Sequence, residues 1–182
     1  MANPRSHITE KSRLRRVMRQ RLVELSEAER RRRSLGICEK LSPILVGKRR
    51  LGLFAPTEIE PDLDLLWSLR LLEEHAAYYP TCEGNRLVFR QIAALCDLEP
   101  GQFGIRQPAS GQAVEQLDLI VVPGLAFTPT GARLGRGTGF YDRFLGTVAS
   151  DTTTVGICFE FQLLPALPCE LHDRDVDLVI SA

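Results

Sequence analysis

The spacing of apolar residues in the first quarter of the chain predicts two helices. Residues 9–25 carry an apolar stripe at helical spacing, formed by Leu14, Val17, Met18, Leu22 and Leu25. The sequence from Ser26 to Glu29 has the pattern of a capping box and predicts the start of a second helix. That helix is expected to run to about Leu41 and to be ended by Pro43.

The rest of the chain alternates short apolar runs with helical patterns. Strands are predicted at 50–55, 76–79 (ended by Pro80), 86–92, 117–122, 153–159 and 176–180. Helices are predicted at about 61–74 and 139–146, and the Gly- and Pro-rich residues 97–112 are expected to form an ordered loop. This order predicts a single α/β domain over residues 1–182, with a largely parallel sheet flanked by helices on both faces in three layers.

A basic glycine-rich segment, RLGRGTGFYDRF at 133–144, follows the most apolar of these strands. Its three glycines let the backbone approach a ligand and form an anion-binding nest, at positions 135, 137 and 139. The helix that follows directs its positive end to the same place, and the guanidinium groups of Arg133 and Arg136 suit phosphate oxygens. The spacing matches neither the P-loop nor the dinucleotide fingerprint, so a phosphate site and a structural turn both stay open at this point.

Charged residues elsewhere offer weaker signals. Lys11 and Arg15 share one face of the first predicted helix, although most basic helix faces are only solvated. Glu58 and Glu60 follow a strand end, where ligands often bind, but acids also favour the start of a helix. Asp142, in the first turn after the glycines, is a reasonable Mg²⁺ ligand. The acids and histidine of ELHDRDVDLVI, residues 170–180, permit a metal site or a plain polar loop.

Composition limits the possible partners and the compartment. The 23 basic and 23 acidic residues give a formal net charge of zero, which argues against a general nucleic-acid or membrane-surface binder. No apolar run is long enough to span a bilayer, and the N-terminus lacks the apolar core of a secretory signal. We therefore expect a cytoplasmic protein, with a short transit-type leader as the alternative. The five cysteines form no C-x-x-C pair and are expected to be reduced and mostly buried.

Several motifs together resemble the 5-formyltetrahydrofolate cyclo-ligase family, also called 5,10-methenyltetrahydrofolate synthetases, almost end to end. The family's most specific motif, R-L-G-x-G-x-G-[YF]-Y-D, is present from Arg133 to Asp142. The other matching motifs lie at Lys11–Arg15, Glu58–Glu60, Gly104–Pro108, Gly156–Gln162 and Pro168–Asp177. The resemblance implies an enzyme that uses ATP and Mg²⁺ to convert 5-formyltetrahydrofolate into 5,10-methenyltetrahydrofolate, releasing ADP and phosphate. It also implies a small-molecule substrate, a monomer, and no nucleic-acid or membrane partner.

The resemblance also assigns roles to residues. It implies that Arg136, Lys11 and Arg15 are catalytic and that Asp142 and Asp173 hold Mg²⁺. It implies ATP contacts from two segments, namely Lys11, Ser12, Arg13, Leu14 and Arg15, and Arg133, Leu134, Gly135, Arg136, Gly137, Thr138, Gly139, Phe140 and Tyr141. It implies folate contacts from Arg15, Glu58, Arg136, Gly137, Thr138, Gly139 and Phe140. The acidic loop is slightly shortened relative to the family pattern, so Glu60 is the alternative to Glu58 as the pterin ligand.

Three other functions stay open beside the cyclo-ligase. The chain could bind folate or nucleotide without turnover, although intact Lys11, Arg15, Arg136 and Asp142 argue against this. It could bind nucleic acid through its arginine-rich N-terminal helices, against which the zero net charge and the absence of a known nucleic-acid motif argue. It could also be a different ATP-dependent ligase on the same scaffold.

Overall fold

The computed structural model describes residues 4–182 of the chain, and their side chains from Glu10 onward. Within these described residues there are four α-helices, namely α1 Pro4–Glu24, α2 Glu27–Leu45, α3 Leu65–Ser68 and α4 Phe140–Leu145. The same part of the chain contains ten strands, namely β1 Arg50–Gly52, β2 Ala76–Glu83, β3 Arg86–Ile92, β4 Leu98–Pro100, β5 Arg106–Pro108, β6 Leu119–Val122, β7 Ala126–Phe127, β8 Arg133–Leu134, β9 Thr153–Cys158 and β10 Leu178–Ser181. None of the described helices is long and apolar enough to cross a membrane.

Six strands form the central sheet, in the order β10, β9, β6, β1, β2 and β3. All neighbours pair in parallel except β2 and β3, which form an antiparallel hairpin at one edge. Alternate residues of β6 enter two separate clusters of buried side chains, as the two-residue period of a strand requires. The first three helices cover one face and α4 covers the other, which confirms the predicted three-layer α/β class.

Two prolines do not end the elements that they were predicted to end. Helix α2 continues past Pro43 to Leu45. Both Pro43 and Glu39, the residue four positions earlier, are exposed, so water can satisfy the carbonyl that loses its partner. Strand β2 continues through Pro80 to Glu83.

The position of Pro80 in β2 explains why the strand tolerates it. The carbonyl of Tyr78 accepts a hydrogen bond from the N–H of Leu53, so Tyr78 directs its backbone groups towards β1. Pro80, two residues further, directs its own towards the same side, where β1 has already ended at Gly52. The missing N–H of Pro80 therefore falls where the pairing between β1 and β2 ends and leaves the bonds before it intact.

Two further segments differ from their predictions. The helix predicted over 61–74 is only one turn, Leu65–Ser68, followed by a left-handed residue at Arg70 with φ of 58°. Four leucines of this segment, namely Leu63, Leu65, Leu66 and Leu72, are still buried in the core, whereas Leu69 is exposed. The apolar pattern therefore predicts most of the burial although the long helix is absent. The loop predicted over 97–112 contains a small antiparallel pair, β4 with β5.

Candidate functional site

The glycine-rich loop lies between β8 and α4, and residues that follow the carboxyl ends of the central strands surround it. Ala55 lies beyond β1 and Gly124 lies beyond β6, and both line the same cavity as the loop. This is the edge at which open parallel sheets bind ligands. Helix α4 begins directly after Gly139, whose φ of 69° places it in the left-handed region that glycine adopts readily.

One side of the loop borders a largely apolar cavity of about 290 Å³. The polar side chains that reach it include Arg19, Glu60, Gln102, Gln107 and Arg136. Its apolar lining comes from several elements, namely Phe54, Ala55, Pro80, Leu87, Phe103, Ile105, Pro123, Phe140 and Tyr141. A concave space with apolar walls and a few polar groups is typical of a site for a small molecule.

The other side of the loop borders a smaller polar cleft of about 60 Å³. Its ionisable lining consists of Lys11, Arg15, Arg133, Asp142, Glu170, His172 and Asp173. Several loop residues, among them Gly135, Gly139 and Asp142, line both this cleft and the apolar cavity. The glycine loop is therefore a thin wall between an apolar space and a charged one.

Helix α1 holds the backbone of this wall. The Nε of Arg15 donates to the carbonyl of Gly135 at 2.9 Å, and Nη2 of Arg19 donates to the carbonyl of Arg136 at 3.3 Å. Gly137, next along the chain, has a φ of 107°, which an L-residue adopts only with strain. The two arginines of α1 therefore bind carbonyls of the loop, and its N–H groups need other partners.

Lys11 joins two acids in the polar cleft. Its Nζ lies 2.6 Å from Oε2 of Glu170 and 2.6 Å from Oδ2 of Asp173, and its side chain is only 5% exposed. Burial opposes the charged ammonium, but the hydrogen bonds to Asp173 and Glu170 outweigh it and raise the pKa of Lys11. The same contacts lower the pKa of Glu170, and they lower the pKa of Asp173 against the opposing effect of its burial.

Arg133 and Asp142 form a second ion pair at the wall. Nη2 of Arg133 lies 2.6 Å from Oδ1 of Asp142, and Nη1 donates to the carbonyl of Pro123 at 3.3 Å. The Nε of Arg133 and the hydroxyl of Tyr141 are both buried without a hydrogen-bond partner. Burial raises the pKa of Tyr141, so its hydroxyl stays a proton donor. Two unsatisfied donors next to a cavity indicate groups that a ligand would satisfy.

Some of the predicted site residues line the apolar cavity or the polar cleft, and others do not. Of the segment 11–15, only Lys11 and Arg15 line the polar cleft, whereas Ser12 and Arg13 are exposed and Leu14 packs on the core. The predicted loop residues line one side of the wall or the other, namely Arg133, Leu134, Gly135, Arg136, Gly137, Thr138, Gly139, Phe140 and Tyr141. Asp142 and Asp173 line the same polar cleft.

Glu58 and Glu60 differ clearly in their burial and in their contacts. Glu58 is exposed and is not among the residues that line the two clefts. Glu60 is buried, lines the apolar cavity and lies 2.7 Å from Nη2 of Arg136. The nearby hydroxyl of Thr57 also accepts from Nη2 of Arg136, at 2.9 Å.

Sequence reasoning left Glu170 and His172 open between a metal site and a plain polar loop, and it missed Phe103. Glu170 shares Lys11 with Asp173, and its carboxylate, that of Asp173 and the ring of His172 offer ligand atoms within 4.8 Å of one another. Phe103 has a left-handed φ of 59° and lies at the apolar cavity, with its ring 6.3 Å from that of Phe140. The motif Gly104–Pro108 did indicate this side of the apolar cavity, since Ile105 and Gln107 line it.

Comparison with known proteins gives a consistent result. Residues 7–182 match the 5-formyltetrahydrofolate cyclo-ligase family. The 5-formyltetrahydrofolate cyclo-ligase of Mus musculus is 30% identical over 92% of this chain and 91% of its own length. The mitochondrial 5-formyltetrahydrofolate cyclo-ligase of Arabidopsis thaliana is 62% identical over 37% of this chain and 29% of its own length. The 5,10-methenyltetrahydrofolate synthetase of Aquifex aeolicus superposes with a TM-score of 0.84 at 35% identity, over 94% of this chain and 89% of that one.

Proposed function

The chain belongs to the 5-formyltetrahydrofolate cyclo-ligase family, and from this premise we propose that it converts 5-formyltetrahydrofolate into 5,10-methenyltetrahydrofolate. The reaction uses ATP and Mg²⁺ and releases ADP and phosphate. The formyl oxygen accepts the γ-phosphoryl group, which converts a poor leaving group into a good one. N10 of the folate then attacks the activated carbon, the ring closes, and phosphate departs with the former formyl oxygen.

One observation carries this proposal: the glycine loop separates an apolar cavity from a polar cleft and contributes residues to both. A folate has flat rings that suit the apolar side, whereas a triphosphate suits Lys11, Arg15 and the loop on the other side. A group that passes from nucleotide to folate must cross this wall. Arg136 lies in the wall, where its guanidinium can stabilise the charge of the transferred phosphoryl group.

The described residues fit ATP and Mg²⁺. Arg133 lines the polar cleft, and its Nε is a buried donor without a partner that an anionic phosphate oxygen would satisfy. Asp142 and Asp173 are two carboxylates in one cleft, a donor set typical of magnesium on a nucleotide. When bound, magnesium supplies neutralising charge to the phosphate oxygens. Lys11 would then exchange its carboxylate partners for phosphate.

The pterin ring is the part of the substrate for which acids matter most. Its amino and ring N–H groups are donors that suit a carboxylate, and we propose Glu58 for this role by similarity to the family motif. Glu58 is exposed in the described structure, so its side chain is free to turn towards a bound ligand. Glu60, in contrast, already has partners for both carboxylate oxygens.

We place the reaction in a cytoplasmic monomer that acts on small molecules, not on nucleic acid or membranes. Residues from one chain line both clefts, which supports a complete site in each subunit. All five cysteines are free thiols, which supports a reducing compartment.

The test is a spectrophotometric assay. Purified protein is mixed with 5-formyltetrahydrofolate, ATP and Mg²⁺, and the near-UV absorbance of the methenyl product is followed. We expect a rise that needs both ATP and Mg²⁺ and that is lost in Arg136→Ala. Arg90→Ala is the matched control. Nη2 of Arg90 lies 2.6 Å from Oε1 of Glu83 in a similar ion pair, and neither residue lines the apolar cavity or the polar cleft. A flat trace from folded wild-type protein would overturn the proposal.

A further inference from the structure

A hydrogen-bonded turn carries the acid that holds Arg136. The N–H of Glu60 donates to the carbonyl of Thr57 at 3.1 Å, which closes the turn. The side chain of Glu60 folds back, and its Oε2 accepts from both the N–H and the hydroxyl of Thr57 at 3.0 Å each. Prolines at 56 and 61 flank the turn and restrict its backbone further.

The second carboxylate oxygen of Glu60, which does not contact Thr57, faces Arg136. Its Oε1 lies 2.7 Å from Nη2 of Arg136, and the side chain of Glu60 is 9% exposed. The Thr57 hydroxyl, which donates to Glu60, accepts from the same Nη2 at 2.9 Å. One guanidinium nitrogen is thereby fixed by two oxygens of the same turn, from side chains that are bonded to each other.

Arg136 needs such an anchor because of its neighbours in sequence. It lies between Gly135 and Gly137, and glycine gives a loop more conformational freedom than any other residue. Arg15 and Arg19 hold carbonyls of the loop, but neither contacts the guanidinium of Arg136 through these bonds. The turn at 57–60 therefore supplies the contacts that orient the side chain.

We propose that Glu60, with Thr57, is a positioning residue that fixes the guanidinium of Arg136 for phosphoryl transfer. This inference rests on the proposed function. It gives Glu60 a role through Arg136 and not through the pterin, because both of its oxygens already accept from protein donors. A 1 Å displacement of a catalytic group can lower a rate about 100-fold, so the anchor matters without touching the substrate.

The main experiment is a double-mutant cycle on turnover. We expect Glu60→Ala to lower kcat by roughly 10- to 100-fold with little change in the KM for folate. In the Arg136→Ala background, Glu60→Ala is expected to have no further effect, because the group that it positions is gone. Thr57→Val is expected to lower kcat in the same direction by a smaller factor.

Two results of this cycle would overturn the inference. One is an equal loss of kcat from Glu60→Ala in both backgrounds, which would indicate a role independent of Arg136. The other is a raised KM for folate with unchanged kcat, which would make Glu60 a pterin ligand. Glu83→Gln is the matched control, since it weakens the comparable Glu83–Arg90 pair outside the site and should leave both constants unchanged.

A second measurement does not depend on turnover. The side-chain N–H signals of Arg136 are assigned by NMR from their loss in Arg136→Lys, and the rotation of the guanidinium is measured. We expect hindered rotation in the wild type and about 10-fold faster rotation or more in Glu60→Gln, because an amide cannot accept at both Arg136 and Thr57. Unchanged rotation would overturn the inference. Restricted rotation in a wild type without turnover would overturn the proposed function and leave the Glu60–Arg136 contact standing.

Discussion

The ammonium of Lys11 lies 2.6 Å from the carboxylate of Asp173, which joins the first helix to the segment before the last strand. Glu170 approaches the same ammonium at the same distance. Lys11 thus offsets one of the two negative charges that Glu170 and Asp173 bring to the polar cleft. Under the proposed function, phosphate of ATP would replace these partners, so the free energy of the contact would oppose part of the gain from binding phosphate.

Lys11→Met tests the phosphate contact. The substitution keeps an apolar stem of similar length and removes the ammonium. We expect the KM for ATP to rise roughly 10- to 100-fold, the effect of losing about 1.5–3 kcal/mol from a bond to a charged group. Initial rates over a series of ATP concentrations measure this. Lys40→Met, which removes an exposed ammonium that binds the carbonyl of Ser181, is the control and should leave the KM unchanged.

Gly137→Ala tests the backbone of the loop. A Cβ at this position would meet only the guanidinium of Arg15 at 3.5 Å, so strain at φ of 107° and not a clash would carry the effect. We expect stability to fall by roughly 1–3 kcal/mol and kcat to fall with it, since the loop shifts. Gly84→Ala, in the β2–β3 hairpin at φ of 61° with open space around it, should affect stability alone. Equal kcat in both variants would contradict the prediction.

Tyr141→Phe separates stability from binding. The hydroxyl is buried without a partner, so its removal should stabilise the free protein by roughly 1 kcal/mol or more. If a substrate oxygen accepts from this hydroxyl in the complex, the variant should also show a raised KM for that substrate. Thermal unfolding of the free protein and steady-state kinetics measure the two effects. A lower melting temperature in the variant would show that the hydroxyl has a partner after all.

Asp118→Asn tests a pH-dependent contact far from the clefts. The pKa of Asp118 lies below its ordinary value of 3.8. Burial of the carboxylate raises this pKa, but the hydrogen bonds from the Arg50 side chain and from the N–H groups of Arg49 and Arg50 lower it by more. The stability that this carboxylate contributes is therefore present above the unfolded pKa and is lost as the pH falls through the folded one.

We expect the wild type to exceed Asp118→Asn by about 1–2 kcal/mol in free energy of unfolding at pH 7. The difference should shrink steadily as the pH falls below about 4. Chemical denaturation at a series of pH values measures it. Asp151→Asn, which changes an exposed acid bonded to Gln116, should differ from the wild type little at any pH. A difference that grows towards low pH would contradict the expected direction of the pKa shift.

The sequence predicted the class of the fold and the start of α4 because those features depend on local patterns. The predicted helix at 139–146 is found at Phe140–Leu145, since the glycines before it prevent an earlier start. The predictions at the two prolines were wrong because the cost of proline depends on where its missing N–H would point. For Pro80, the missing N–H falls where the pairing with β1 ends. For Pro43, the carbonyl left without a partner faces solvent. The sequence of a single segment shows neither of these facts.

The site was predictable only in part. Motifs identified the glycine loop and the Lys11–Arg15 face, but they could not show that Ser12 and Arg13 turn to solvent. The partners of Lys11 and Arg136 were also hidden, because Glu170 and Glu60 are distant from them in sequence. Pairings of this kind depend on tertiary packing and not on local spacing.

The contact between Lys11 and Asp173 spans 162 positions of the chain. During synthesis at about 5–20 residues per second, the first helix is therefore made about 8–32 s before its partner. The polar cleft cannot be assembled in that interval, however early the helix itself forms. A nascent chain thus lacks a complete polar cleft until Asp173 has been synthesised, and α1 must remain available to dock until then.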